Sequence, residues 1–208
     1  MAEDDLRAVI SGLVAGVPPL DALEAADQGD IGNWIGSGQP LFRTGSPATP
    51  PKHLVVYFVP LDAADRCVLL GDHVKSGLWL PPGGHVEDGE EPRRAVEREA
   101  MEELGIRASF HPGLGGRLPF FLTATPTLAT PGGQSHVDIS MWFVLACDRA
   151  AELRPDPREF RSVAWLGIDE RAEWSADRFD PQMGRFIGKL TAALSRSGSS
   201  AREGGGGT

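Results

Sequence analysis

The chain has 208 residues, of which 41% are hydrophobic, and this is enough to bury the core of one domain with a helical extension. Lys and Arg total 20 against 29 for Asp and Glu, so the formal net charge is −9. Such a surface offers no broad basic patch for nucleic-acid phosphates or an anionic membrane, and we expect neither partner. The excess carboxylates are either solvated surface or ligands of a hard cation.

Two further features concern the compartment. Cys67 and Cys147 lie far apart in apolar runs, which favours two buried thiols over a disulfide. The first five residues, MAEDD, are acidic where a secretory signal would carry positive charge, and no apolar run approaches bilayer length. We therefore expect a cytoplasmic protein.

The first fifty residues have helical patterning. Apolar residues recur at helical spacing before Pro18 and Pro19, namely Leu6, Val9, Ile10, Leu13, Val14 and Val17. Two more short helices are predicted at Leu20–Ala26 and Ile31–Ile35. The breaker-rich stretch at 45–51 (GSPATPP) is typical of a linker. We interpret residues 1–50 as a helical extension and linker, which serves as a cap or supports a homodimer.

Residues 51–194 are predicted to form the main domain. The predicted strands, rich in branched and aromatic residues, are 53–59, 66–70, 78–80, 118–123, 137–146 and 162–166. One amphipathic helix is predicted from Pro92, at its first position, to Leu104, with Gly105 as its terminator. A last helix is predicted at 181–194. Residues 195–208 (SRSGSSAREGGGGT) have the composition of a flexible tail.

The predicted helix at 92–104 carries a cluster of acids. Glu99, Glu102 and Glu103 stand at i, i+3 and i+4, so they share one helix face. They repel one another unless a cation lies among them, and oxygen-rich clusters suit Mg²⁺ or Mn²⁺. The alternative is a solvated acidic face. Gly83 and Gly84 favour the metal site, because they let the backbone approach a ligand just before the helix.

The pattern from Gly84 to Ile106 is G-x5-E-x7-R-E-U-x-E-E-x-G-U, where U is apolar. It resembles the signature of the Nudix hydrolase family at every defined position, with Ala100 as a small occupant of its apolar slot. The resemblance implies an α/β fold, an α/β/α sandwich with a mixed β-sheet.

The resemblance also implies roles for individual residues. The implied ligands of Mg²⁺, or of Mn²⁺ as a substitute, are Glu90, Glu99, Glu102, Glu103 and the carbonyl of Gly83. Arg98 would orient Glu99 through a charge-assisted bond. The general base that activates water would be Glu99, Glu103 or a residue outside the signature.

Positions outside the signature are candidates for substrate contacts. His136 and Asp138 alternate along a predicted strand and so point to one face, where Asp138 is either a further carboxylate or the base. The alternative for this pair is a solvent-facing edge. His85 follows the glycines and is a candidate phosphate contact. Trp79 is either a stacking platform for a base or a core residue.

The expected function is Mg²⁺-dependent hydrolysis of the diphosphate linkage in a nucleoside diphosphate joined to another moiety. Within this class the sequence interpretation leans to nucleoside triphosphates as small-molecule substrates, oxidised ones included. ADP-ribose and nucleotide sugars are the alternative substrates. A non-catalytic nucleotide sensor on the same fold is the alternative of another class, because a fold does not by itself imply activity.

Overall fold

The computed structural model describes residues 3–45, 50–127, 135–169, 174 and 176–203. Its strands are β1 Lys52–Asp62, β2 Cys67–His73, β3 Trp79–Leu80, β4 Gly83–His85, β5 Phe121–Thr127, β6 His136–Ala146 and β7 Phe160–Gly167. Its helices are α1 Glu3–Ala15, α2 Ala22–Gly36, α3 Pro92–Leu104 and α4 Met183–Glu203.

The strands form one mixed sheet. Its main path has the order β3-β2-β1-β6-β5, with β4 paired to β1 and β7 paired to β2. The two central strands, β1 and β6, run parallel, and the other pairs are antiparallel. The β1–β6 register places His53 opposite Asp138, and the β1–β4 register places Val55 opposite His85.

Side chains alternate between the two faces of this sheet, as the pleat requires. On β1, Leu54, Val56 and Phe58 join a core that includes residues of α1, α2 and α3. Val59 and Leu61 join a second core, which includes residues of α4. Helices thus cover both faces, which confirms the expected α/β/α sandwich with a mixed sheet.

The N-terminal extension packs onto this same sheet. Ile10 of α1 and both Ile31 and Trp34 of α2 are buried in the core that contains Leu54. The backbone N–H of Leu54 donates to the carbonyl of Leu41 at 2.9 Å, which joins the extension to the start of β1. The extension therefore contributes to the core of its own domain.

The two short helices predicted at Leu20–Ala26 and Ile31–Ile35 are one continuous helix, α2. Asp21 caps its start by accepting from the backbone N–H of Glu24 at 2.8 Å. The gap between the two predicted helices contains Gly29, and a glycine inside a helix costs about 1 kcal/mol. Burial of the apolar face near the C-terminal end outweighs that cost.

The last helix also extends past its predicted end. The predicted boundary lies at Leu194, whereas α4 continues to Glu203, so residues 195–203 are helical instead of belonging to a flexible tail. Buried side chains such as Phe186 and Leu190 anchor the helix, and each further residue then adds a backbone hydrogen bond at low cost. The remaining tail, 204–208, and linker residues 46–49 lie outside the described residues.

The structure also shows the state of the two cysteines and whether any described helix could span a membrane. Both cysteines are free: Cys67 is buried, whereas Cys147 is partly exposed. In the part of the chain that the structure describes, no helix combines the length and the apolar character needed to cross a bilayer.

A buried ion pair joins the extension to the last helix. Lys189 of α4 donates to Glu24 Oε1 at 2.7 Å and to the carbonyl of Pro18 at 2.7 Å. Glu24 is fully buried and also accepts from the backbone N–H groups of Leu20 at 2.5 Å and Leu122 at 3.2 Å. Burial lowers the pKa of Lys189, while its bond to Glu24 opposes that shift. One carboxylate thus ties together α2, β5 and α4.

Replacing Glu24 with Ala should destabilise the fold by about 3–5 kcal/mol, because it leaves the charge of Lys189 buried without its acid. Urea denaturation of wild type and variant measures this change. The matched control is Asp30→Ala, which removes the exposed α2 partner of Lys52 and should cost less than about 1 kcal/mol. Equal costs for the two variants would contradict the structural role given to Glu24.

Candidate active site

Helix α3 is defined at both ends by its sequence. Pro92 occupies its first turn, and Glu91 caps it by accepting from the backbone N–H of Arg93 at 3.2 Å. Gly105 ends it in the left-handed conformation, with φ of 67°. Its apolar face is fully buried against the sheet and consists of Ala95, Val96, Ala100 and Leu104. This packing fixes the direction in which its acidic residues point.

The two glycines before α3 are required by close contacts. A Cβ on Gly83, whose φ is +154°, would lie 2.0 Å from the carbonyl oxygen of Val56. A Cβ on Gly84 would lie 2.1 Å from Glu99 Oε1. The backbone N–H of Gly83 donates to Glu103 Oε2 at 2.8 Å. Strand β4 therefore places its backbone directly against the carboxylates.

Arg98 is the central cation of the acidic cluster. Its Nε and Nη2 donate to the two oxygens of Glu90 at 3.0 and 2.9 Å. Its Nη1 donates to Glu99 at 2.8 Å and to Glu102 at 3.3 Å. Nη2 also donates to the carbonyl of His85 at 3.1 Å. Arg98 therefore holds three acids at once.

The acids differ in how well their charges are stabilised. Burial opposes ionisation of Glu90, yet the bond from Arg98 holds its pKa below the usual value. Burial raises the pKa of Glu99 despite the bond from Arg98. Burial raises the pKa of Glu103 to about 8, and the neighbouring charge of Glu99 adds to the shift. Glu102, by contrast, is 59% exposed.

These acids fit a hard divalent cation. All their donor atoms are oxygens, which Mg²⁺ and Mn²⁺ prefer. Arg98 supplies one positive charge among four carboxylates, and the raised pKa of Glu103 shows that its charge lacks sufficient stabilisation in the protein alone. A cation bound among them would supply the missing charge.

The cluster forms one wall of a cleft of about 870 Å³. Cationic side chains also line it, and three of them, Arg43, Lys75 and Arg158, come from outside α3. Lys75 pairs with Glu159 at 3.0 Å, and Arg158 pairs with Asp156 at 2.6 Å. The cleft therefore presents acids for a cation beside bases that can contact an anionic ligand.

The structure brings most of the predicted site residues together. The cleft is lined by Gly83, His85, Arg98, Glu99, Glu102 and Glu103, and Glu90 is held behind Arg98. Among the described residues, this lining does not include His136, Asp138 or Trp79. Trp79 packs with the core on the α4 face, and its backbone N–H donates to the carbonyl of Arg178 at 2.7 Å. His136 and Asp138 instead lie beside His53.

Several residues of the cleft were absent from the predicted site. Arg43 lies in the extension and reaches the cleft, where its Nη1 donates to His85 Nε2 at 2.9 Å. His73, Asp156 and Arg158 also line the cleft. Arg43 had no signal because it lay between the last helix predicted in the extension and the linker at 45–51, where the pattern predicts no element. His53 also had no signal in the sequence, because a single histidine in an apolar strand does not reveal which side chains of other strands lie beside it.

The sequence was compared with models of known protein families. The model described as NUDIX domain matches residues 51–190, which is well over half of the chain. The chain belongs to the Nudix hydrolase family. The matched segment contains every residue of the acidic cluster and both glycines, so the geometry described above is that of a Nudix signature.

Individual relatives of this Nudix chain are distant. It is 31% identical over 121 residues to "m7GpppN-mRNA hydrolase NUDT17" of Danio rerio, an alignment that covers 53% of this chain and 40% of that relative. It is 29% identical over 137 residues to "RNA pyrophosphohydrolase" of Cereibacter sphaeroides, covering 62% of this chain and 83% of the relative. The C. elegans Ap4A hydrolase structure has 21% identity and a TM-score of 0.49, over 69% of this chain and 97% of that one.

Because Glu103 is buried, we expect the free energy of unfolding to depend on pH when EDTA removes any metal. Its pKa rises from 4.5 to about 8 on folding, so the protonated form stabilises the fold below pH 4.5 and this contribution is lost as pH rises through 8. Glu103→Gln keeps a neutral side chain at all pH values. Its free energy of unfolding should match wild type near pH 5 and exceed it by about 2–4 kcal/mol near pH 9, measured by urea denaturation.

The matched control is Glu102→Gln on the same helix. Glu102 is largely exposed, so this change should alter stability by less than about 1 kcal/mol across the same pH range. A difference between Glu103→Gln and wild type that does not vary with pH would contradict the buried ionisation of Glu103.

Proposed function

We propose that this chain is a Mg²⁺-dependent pyrophosphohydrolase, which cleaves the diphosphate linkage of a nucleoside diphosphate joined to another moiety. The observation that carries the proposal is the set of three carboxylates bonded to Arg98, with Glu103 beside them, next to a cleft that also holds basic side chains. Membership of the Nudix hydrolase family supports the same chemistry.

The proposed metal ligands are Glu90, Glu99, Glu102, Glu103 and the carbonyl of Gly83. Mg²⁺ is the proposed ion, with Mn²⁺ as a substitute. When bound, such a cation screens phosphate charge and stabilises the charge that develops during displacement at phosphorus. The protein prepares for it with Arg98, which fixes two acids in place, and with the N–H of Gly83, which fixes a third.

Proton transfer is assigned to Glu99 or Glu103. A general base works best when its pKa lies near the working pH, and burial brings the pKa of Glu103 close to that range and raises that of Glu99. Either carboxylate can accept the proton of the attacking water. Arg43, Lys75 and Arg158 are proposed to contact the phosphate oxygens, beside His85 on the glycine-rich strand.

The preferred substrates are nucleoside triphosphates, oxidised ones included, and the second choice is ADP-ribose or a nucleotide sugar. The two sequence relatives described above, an RNA pyrophosphohydrolase and an m7GpppN-mRNA hydrolase, make an RNA 5′ end a further candidate. The net charge of −9 disfavours a long RNA, because few cations would be available to its backbone. A non-catalytic sensor is disfavoured because all four acids and Arg98 are present.

Hydrolysis should require an added divalent metal and stop in excess EDTA. Glu103→Gln should lower kcat at least about a hundredfold, since it removes both a charge and a candidate base. The assay separates products by mass after incubation with nucleoside triphosphates, an oxidised triphosphate, ADP-ribose, a nucleotide sugar and a capped dinucleotide. The panel identifies the substrate class in the same experiment.

Glu97→Gln is the matched control, because Glu97 lies on α3 but pairs with Arg94 and Arg117 outside the cleft lining. It should leave kcat within about twofold of wild type, as surface ion pairs contribute little. Full turnover in EDTA would overturn the metal mechanism. Turnover of none of the panel by the folded wild type would favour the sensor.

A further inference from the structure

A second group of metal-ligating side chains lies apart from the carboxylates of α3. It consists of His53 near the start of β1 and of His136 and Asp138 at the start of β6, and the register places His53 opposite Asp138. By the alternation of side chains along a strand, His136 and Asp138 share the sheet face of Trp142, which stacks on Phe186 of α4. Helix α3 packs on the opposite face.

The spacing of the three ligand atoms suits a single ion. Asp138 Oδ1 lies 3.1 Å from His53 Nε2 and 3.3 Å from His136 Nε2, and all three atoms lie within 4.8 Å of one another. With bonds of about 2.0–2.1 Å, neighbouring ligand atoms around Zn²⁺ are separated by roughly 3.0–3.4 Å. Both separations from Asp138 fall in that range, and the two imidazole nitrogens lie within 4.8 Å of each other, so all three atoms are close enough to converge on one ion.

The orientation of His53 is fixed by a hydrogen bond on the far side of its ring. Its Nδ1 lies 3.0 Å from the carbonyl oxygen of Pro50, and because a carbonyl can only accept, Nδ1 carries the proton. In the neutral ring, Nε2 then presents a lone pair toward Asp138. A lone pair facing a carboxylate oxygen requires a positive charge between them, which is either a proton or a metal ion.

This arrangement is common around metal ligands, where a ligating His donates its other N–H to a backbone carbonyl. The ring of His53 is fully buried, whereas the side chains of His136 and Asp138 are 19% and 24% exposed. An ion can therefore enter from the side of β6, while the buried ring remains preorganised.

His85 separates this group from the cleft. Its ring centroid lies 5.1 Å from that of His53, and its Nε2 accepts from Arg43 at 2.9 Å. Because a guanidinium can only donate, that nitrogen is already engaged, so we leave His85 out of the ligand set.

We propose that His53, His136 and Asp138 bind one Zn²⁺ ion at a site distinct from the carboxylates of the Nudix signature. Two imidazoles and one carboxylate favour Zn²⁺ over Mg²⁺, which prefers oxygen ligands alone. Three protein ligands leave a fourth position for water or another small ligand. Zn²⁺ at this site would tie the start of β1 to the start of β6.

Calorimetric titration of the full chain with Zn²⁺, in excess Mg²⁺ to occupy the carboxylates, tests the site. Wild type should bind one equivalent of Zn²⁺, and His136→Ala and Asp138→Asn should each weaken the affinity at least about tenfold. The matched control is His111→Ala, because His111 lies among residues of another surface pocket. It should bind as wild type does. Circular dichroism without metal confirms that each variant is folded.

A measurement on wild type alone keeps the test independent of the variants. In ¹⁵N spectra of imidazole side chains, Zn²⁺ should shift the Nε2 signals of His53 and His136 and leave those of His111 unchanged. Absence of Zn²⁺ binding in excess Mg²⁺, equal affinities for His136→Ala and His111→Ala, or unshifted signals would overturn the site and leave a proton-mediated ion pair. Hydrolysis in the cleft is measured separately, so the two proposals can fail independently.

Discussion

Three carboxylates bond to one guanidinium in this protein, and a fourth, Glu103, lines the same cleft, so the acidic cluster carries an excess of negative charge. Arg98 compensates Glu90 most fully, through two bonds to its two oxygens. Burial raises the pKa of Glu99 in spite of its bond to the same guanidinium, and burial raises the pKa of Glu103 to about 8. The fully buried apolar face of α3, with Val96 and Leu104, holds the helix against the sheet and so keeps these acids in place.

The acidic helix could be predicted because its geometry is local. The i, i+3, i+4 spacing of Glu99, Glu102 and Glu103 fixes their shared face once a helix forms, and the pleat likewise fixes the face of each strand residue. The contact between His53 and Asp138 depends on the register of two strands far apart in sequence, which periodicity does not determine. The same limit applies to Arg43, whose approach to the cleft depends on how the extension packs.

The extension is part of the site as well as part of the core. Leu41 bonds to β1 two residues before Arg43 enters the cleft, so the position of that guanidinium depends on the packing of α1 and α2. The buried pair of Glu24 and Lys189 then fixes α2 to α4 on the other side of the sheet. A sequence-based separation at residue 50 therefore divides a structural unit, because tertiary contacts cross that boundary on both faces.

The two ligand groups differ in chemistry, and this difference can separate two metals without any difference in access. The acids of α3 offer oxygens alone, whereas the proposed zinc ligands offer two imidazole nitrogens beside one carboxylate. Hard ions such as Mg²⁺ gain little from nitrogen ligands, whereas Zn²⁺ binds imidazole nitrogens well. His85 lies between the groups, with its carbonyl bonded to Arg98 and its ring near His53. The position of His85 beside the glycines thus depends on contacts with both groups, with Arg98 among the acids and with His53 among the proposed zinc ligands.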